Sequence, residues 1–153
     1  MVAYNAFYQF VQDLSQKVHN LLSDTPKFAL SNTLPVKTNT VLTNIAEIAN
    51  YGNITNNATT GRVAVVTSCA QTTGTLKWIL QGQGGAASDL ILTATGTVGP
   101  FQYIVLYNDT PTSPADPLIA WWDYGTAMTM ASPDTFTIDF DATNGVAQIT
   151  SPP

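Results

Sequence analysis

The side chains that most often do chemistry are scarce in this chain. There is one histidine, His19, one cysteine, Cys69, and one glutamate, Glu47. A general base normally comes with an orienting partner. His19 lies far in sequence from any Ser or Asp cluster, so it reads as a plain helix-surface or interface histidine. One His and one Cys do not make a zinc site, and Cys69 reads as a small buried hydrophobe. A single Glu does not supply the paired carboxyls of glycoside hydrolysis. Asp139-x-Asp141-x-Thr143-Asn144-Gly145 has the spacing that opens a calcium loop. Its glycine stands one place late, however, and position twelve is Thr150 rather than a bidentate Glu. Outward carboxylates on a strand, followed by a hairpin, account for it better. Asp109 and Asp116 read as turn formers around a Pro-rich loop. Phosphate-binding loops, nucleophile elbows and HExxH helices are absent from the sequence. The expectation is a protein that is not an enzyme and holds no cofactor and no metal.

Aromatic residues carry more information. Trp121-Trp122-x-Tyr124 on a strand puts Trp121 on one face and Trp122 with Tyr124 on the other. Core packing is one reading. An interface is a second, since Trp and Tyr concentrate at binding hot spots. A sugar-stacking platform is a third.

The elements that must position these residues follow from periodicity. Phe7, Phe10, Val11, Leu14, Val18, Leu21 and Leu22 recur at helical spacing, which predicts an amphipathic helix over 5–22 with Asn5 as its N-cap. Its polar face would carry Gln9, Gln12, Asp13, Gln16 and Lys17. The apolar stripe, with Phe7, Phe10 and Leu14, packs on its own sheet or on a partner. A strand is predicted at 27–32 and a short helix at 40–49. An exposed loop is predicted over 50–61, where Tyr51 and Asn53 could make contacts. From Arg62 onward strands are predicted near 62–70, 74–82, 89–96, 101–108, 117–124, 126–131, 134–141 and 146–150. FQYIVLY, at 101–107, is apolar on both faces and reads as a central strand. Phe136, Ile138 and Phe140 face in, and Thr135, Thr137, Asp139 and Asp141 face out. Asn144-Gly145 reads as a hairpin turn, and 82–87 as a flexible turn. The loop over 108–117, with Pro111 and Pro114, reads as a semi-rigid surface loop. Short strands with turns about every ten residues predict one domain over 1–153, mainly β, a sandwich or barrel after the N-terminal helix.

Composition agrees with β and limits the partners. Only 10% of residues are charged, and threonine alone supplies 23. Threonine's stiff, β-branched side chain suits a pleated surface. Net charge is −5, and the five basic residues are scattered, which argues against direct nucleic-acid binding and against an anionic membrane surface. The N-terminus lacks the pattern of a signal peptide and no apolar run reaches membrane-spanning length, so the expectation is a soluble protein made in a cytoplasm. A weakly charged surface of Thr, Asn and Gln can be buried in a protein contact with little desolvation cost.

Three stretches resemble a family of virion structural proteins of tailed bacteriophages. They are AYNAFYQFVQDLSQKVHNLLSDTPKFALSN (3–32), GPFQYIVLYNDTPTSPADPLIAWWDYG (99–125) and the closing TFTIDFDATNGVAQIT. Within that family the resemblance is greatest to capsid decoration, or cement, proteins. It implies a jelly-roll-like antiparallel β-sandwich of about eight strands after an N-terminal amphipathic helix. It implies a homodimer or homotrimer on the outer surface of the virion head, bound across joints between copies of the major capsid protein. It brings no catalytic residues. On this reading Phe7, Phe10, Leu14, Tyr51, Asn53, Pro111, Pro114, Trp121, Trp122 and Tyr124 are the candidate interface residues. A tail or fibre component and a carbohydrate-binding module are the alternatives.

Overall fold

The computed structural model describes residues 4–55, 62–82 and 89–150. In chain order its elements are β1 (Asn5–Ala6), α1 (Tyr8–Ser15), β2 (Pro26–Ser31), β3 (Ile54–Thr55), β4 (Ala64–Thr72), β5 (Thr75–Gly82), β6 (Leu90–Ala94), β7 (Val98–Asn108), β8 (Leu118–Met130), β9 (Thr135–Ile138) and β10 (Ala147–Thr150). The molecule is mainly β and every pairing of its named strands is antiparallel. One sheet has the order β1-β8-β7-β2; two three-stranded sheets have the orders β10-β5-β4 and β3-β6-β9.

Alternation along β2 and β7 explains how the sheets pack. Phe28, Leu30, Ile104 and Leu106 enter one core with Trp78 and Leu80 of β5, Leu90 and Leu92 of β6, and Phe136. The alternate residues Ala29 and Val105 point the other way, into a second core with Phe7, Ile45 and Trp121. The four-stranded sheet is therefore buried on both faces, which is why 101–107 is apolar throughout. Phe136 and Phe140 are buried, while Thr135, Thr137, Asp139 and Asp141 are exposed, as alternation requires.

Several expectations need correction. The predicted helix over 5–22 is two turns long. Asn5 is not its cap but pairs with Trp121 in β1, and Phe7 takes the N-cap position with no side-chain cap. The helix stops because Lys17 adopts φ +61°. Its N–H bonds the Leu14 carbonyl and the Val18 N–H bonds the Asp13 carbonyl, a Schellman ending with Lys where glycine is usual. The helix predicted at 40–49 shrinks to a single 3-10 turn, Leu42–Asn44. There the Asn44 carboxamide accepts from the Thr40 and Val41 N–H groups, and Ile48 donates to Leu30 of β2.

The strands predicted at 117–124 and 126–131 are one strand, β8. Register with β7 moves two residues from Tyr103 to Phe101 but five from Asp123 to Met128. That bulge absorbs Gly125, at φ +92°, without ending the strand. Asn144-Gly145 does not close a hairpin: β9 pairs with β6, whereas β10 pairs with β5. The turn carries the chain from one three-stranded sheet to the other. The turn predicted at 82–87 falls almost wholly outside the described residues, as does 56–61 of the predicted loop.

Candidate functional site

The register of β8 divides its aromatics. Trp121 turns into the second core, its ring 4.6 Å from that of Phe7. Trp122 turns the other way and lies 5.7 Å from Tyr4, edge to face, and 6.2 Å from Phe28. Tyr124 starts the bulge, which leaves it nearly half exposed against Phe136 at 5.5 Å. Between β8, β9 and the turn after β9 these rings line a cleft of about 750 Å³, floored by Phe28, Ile104 and Phe140. Its volume is in the range of ligand pockets. Thr137, Asp139, Asp141 and Asn144 form its polar lip. Asp141 is committed to its own turn: its carboxylate accepts from the Thr143 and Asn144 N–H groups and from the Asn144 carboxamide, bonds that hold its pKa below the usual carboxylate value. Among the described residues no three acidic, His or Cys side chains form a group that could hold a metal. The arrangement offers ring faces and a few acceptors, which suits a ring-shaped neutral ligand or an apolar side chain.

A second surface lies on the outer side of α1. Phe7, Phe10, Asp13 and Leu14 face inward, while Tyr8 and Val11 are more than half exposed. The Tyr8 N–H bonds the Lys37 carbonyl at 3.0 Å, and Lys37 Nζ lies 5.9 Å from the Tyr8 ring centre. This brings the 32–39 loop, with exposed Leu34 and Val36, alongside the helix.

The polar cluster below α1 was not expected. Asp13, predicted on the solvated face, is only 2% exposed, and His19, predicted at the surface of a helix, is 6% exposed and lies beyond the helix end. Asn108 Nδ2 donates to Asp24 Oδ2 at 2.6 Å and meets His19 Nδ1 at 3.1 Å. His19 Nε2 and Asp13 Oδ2 are 3.8 Å apart, and neither atom has a hydrogen-bond partner among the described residues. Asp13 Oδ1 accepts from Gln9 at 2.8 Å. Burial pushes the His19 pKa down, against the pull of Asp13 and Asp24.

The other singled-out residues scatter. Tyr51 is buried; its hydroxyl bonds both the N–H and the carbonyl of Leu30, and burial raises its pKa. Asn53 is half-buried and donates to the Thr97 carbonyl at 2.8 Å. Pro111 and Pro114 stay on the loop after β7, Pro114 exposed. Asp109 is not a turn former but an ion-pair partner, 2.6 Å from Lys27. Asn108 fills the turn role, its Oδ1 accepting from the Thr110 N–H. Asp116 contributes through its backbone, at φ +50° with its carbonyl accepting from Leu42. Cys69 is partly buried against the main core. Phe7, Phe10, Tyr51 and Trp121 are thus spent inside the molecule, and the structure brings only Trp122 and Tyr124 together at one cleft. Sequence reasoning missed Tyr8, Leu34 and Val36. Tyr8 was legible as lying off the Phe7–Phe10–Leu14 stripe; the loop residues carried no signal, since only the fold brings them to α1.

No protein-family model, curated protein or solved structure matches the chain.

Proposed function

We propose that the chain is a decoration, or cement, subunit of a tailed-phage head, binding the outer surface of the shell across joints between major capsid proteins as a small symmetric homo-oligomer. The three antiparallel sheets then form a jelly-roll-like sandwich whose work is adhesion. The observation that carries the reading is the exposure of Tyr8 and Val11 on α1 and of Leu34 and Val36 on the loop bonded to Tyr8 through Lys37, on a chain with only 10% charged residues. Covering these side chains costs little desolvation. The resemblance of 3–32 and 99–125 to phage virion proteins says which partner to try. Each contact is weak alone, but many copies spanning neighbouring shell proteins multiply it, and the contacts must be lost before the shell opens. Mixing the purified protein with capsids that lack it should show saturable, stoichiometric binding. Absence of binding, or density only on the tail in micrographs of the virion, overturns this reading.

The aromatic cleft favours a second reading, a carbohydrate-binding module in which Trp122 and Tyr124 stack on sugar rings. Binding on a glycan array that falls with Trp122→Ala supports it; an inert array removes it.

A further inference from the structure

The cluster under α1 has no part in the adhesion proposed above, yet it holds two buried polar atoms without partners among the described residues, where buried polar groups are mostly paired. Its geometry fixes the state of the histidine. The Asn108 carboxamide cannot turn over freely: its Oδ1 accepts from the Thr110 N–H at 3.1 Å, and its Nδ2 donates to Asp24. The side it shows to His19 is therefore an N–H, so His19 Nδ1 must carry a lone pair and the ring proton sits on Nε2. That Nε2 points towards Asp13 Oδ2 but stops at 3.8 Å, too far for a hydrogen bond.

We propose that His19 is an acid-operated latch: the neutral ring fastens the N-terminal segment, residues 8–24, to the end of β7 through Asn108, and protonation of the ring undoes that hold. A proton on Nδ1 would face the Asn108 N–H, donor against donor. Turning the carboxamide over would lose the bonds to Thr110 and Asp24 and set Oδ1 against the Asp24 carboxylate. The other way out is for the ring to move to Asp13, whose Oδ2 accepts no hydrogen bond from the described residues. The tether between His19 and Asn108 joins residues 89 positions apart. Its replacement would join His19 to the helix just before it, and would leave the Asp24–Asn108 bond as the cluster's remaining tie between that segment and β7.

The groups facing the ring bear this out. Phe10 presents its ring 5.3 Å away, from α1. Burial, the larger influence, favours the neutral ring; the Asp13 carboxylate from α1 and the Asp24 carboxylate from the turn before β2 oppose it. Asn108, from β7, is neutral and decides the matter by the direction of its N–H. The ring thus stands between two partners, one suited to each charge state, as a two-state element requires.

His19 is the sole histidine, so every imidazole signal in a long-range proton–nitrogen NMR spectrum belongs to it. The intact protein, titrated from about pH 8 to about pH 5, should show the Nε2–H tautomer at the start. Its midpoint should lie below 6.5. Backbone hydrogen exchange in residues 8–24 should rise through that midpoint while β5 stays protected. Asn108→Asp replaces the facing donor with an acceptor and should move the midpoint up. Asp13→Asn removes the carboxylate charge that favours the protonated ring and should move it further down. An Nδ1–H tautomer, a midpoint at or above 6.5 in the unaltered protein, or exchange in 8–24 that ignores the titration overturns the latch. The unaltered protein alone decides if neither variant folds.

Discussion

The guanidinium carbon of Arg62 stands 3.9 Å from the centre of the Tyr51 ring, and the two side chains fasten the same strand from outside. Arg62 Nη1 donates to the Phe28 carbonyl and to Glu47, each at 3.1 Å. The Tyr51 hydroxyl serves both backbone groups of Leu30, two residues along β2. The edge of β2 away from β7 is closed by these side chains together with short backbone bridges, Lys27 to Val63 and Ser31 to Glu47. Tyr51→Phe keeps the ring under Arg62 but leaves the buried Leu30 N–H without its acceptor. The expected loss is about 1–3 kcal/mol. It would be read as a lower urea midpoint with an unchanged slope.

Gly145→Ala should destabilise the protein by more than about 1 kcal/mol. Gly145 has φ +76°, and a Cβ there would sit 2.3 Å from the Trp78 carbonyl oxygen, which accepts from the Val146 N–H. Gly52 is the control: a Cβ added to it would meet nothing within 4 Å. Gly52→Ala should be neutral, or stabilising by up to about 1 kcal/mol. Thermal unfolding of the two variants side by side checks the contrast.

Stability should fall on mild acidification, and His19 should account for part of the fall. Its folded-state pKa lies below 6.5, so between that value and 6.5 the unfolded chain binds more protons than the folded one. By linkage the histidine's contribution is complete above 6.5 and is lost as pH falls through the folded-state value. Denaturant midpoints across this window should drop for the unaltered protein. His19→Gln, which does not titrate, should flatten that part of the curve.

Tyr8→Ser with Val11→Ser should separate adhesion from folding. Both side chains are exposed, so the unfolding free energy should change by less than about 0.5 kcal/mol per residue. Binding to capsids lacking the protein should weaken at least tenfold, a loss of about 1.4 kcal/mol. Retained binding in a folded double variant would move the contact to another face.

Alternation made the strands legible because a half-buried strand must change sides at every residue. Phe136 and Phe140 are buried and Thr135 and Thr137 exposed for that reason. The doubly buried β7 was visible in the same way, from apolar residues at both parities. Helical spacing identified the Phe7–Phe10–Leu14 stripe, but the same spacing continued through Val18, Leu21 and Leu22, beyond where the helix ends. Lys17, in a conformation usually left to glycine, ends it.

What the sequence by itself determined is the β character, the central strand, the inward aromatics and the sparse charge, because each depends on neighbours one or two positions away. Tertiary structure alone decided that Trp121 is spent in a core while Trp122 lines a cleft. It alone decided that Tyr51 is an anchor, that Tyr8 meets Lys37 of the loop that carries Leu34 and Val36, and that Asp13, Asp24 and Asn108 close around His19. Such meetings depend on which strand end lies beside which turn, and Asn108 reaches His19 across 89 residues of chain. Local periodicity carries no record of that distance, since sheet order is set by the sum of many long-range contacts.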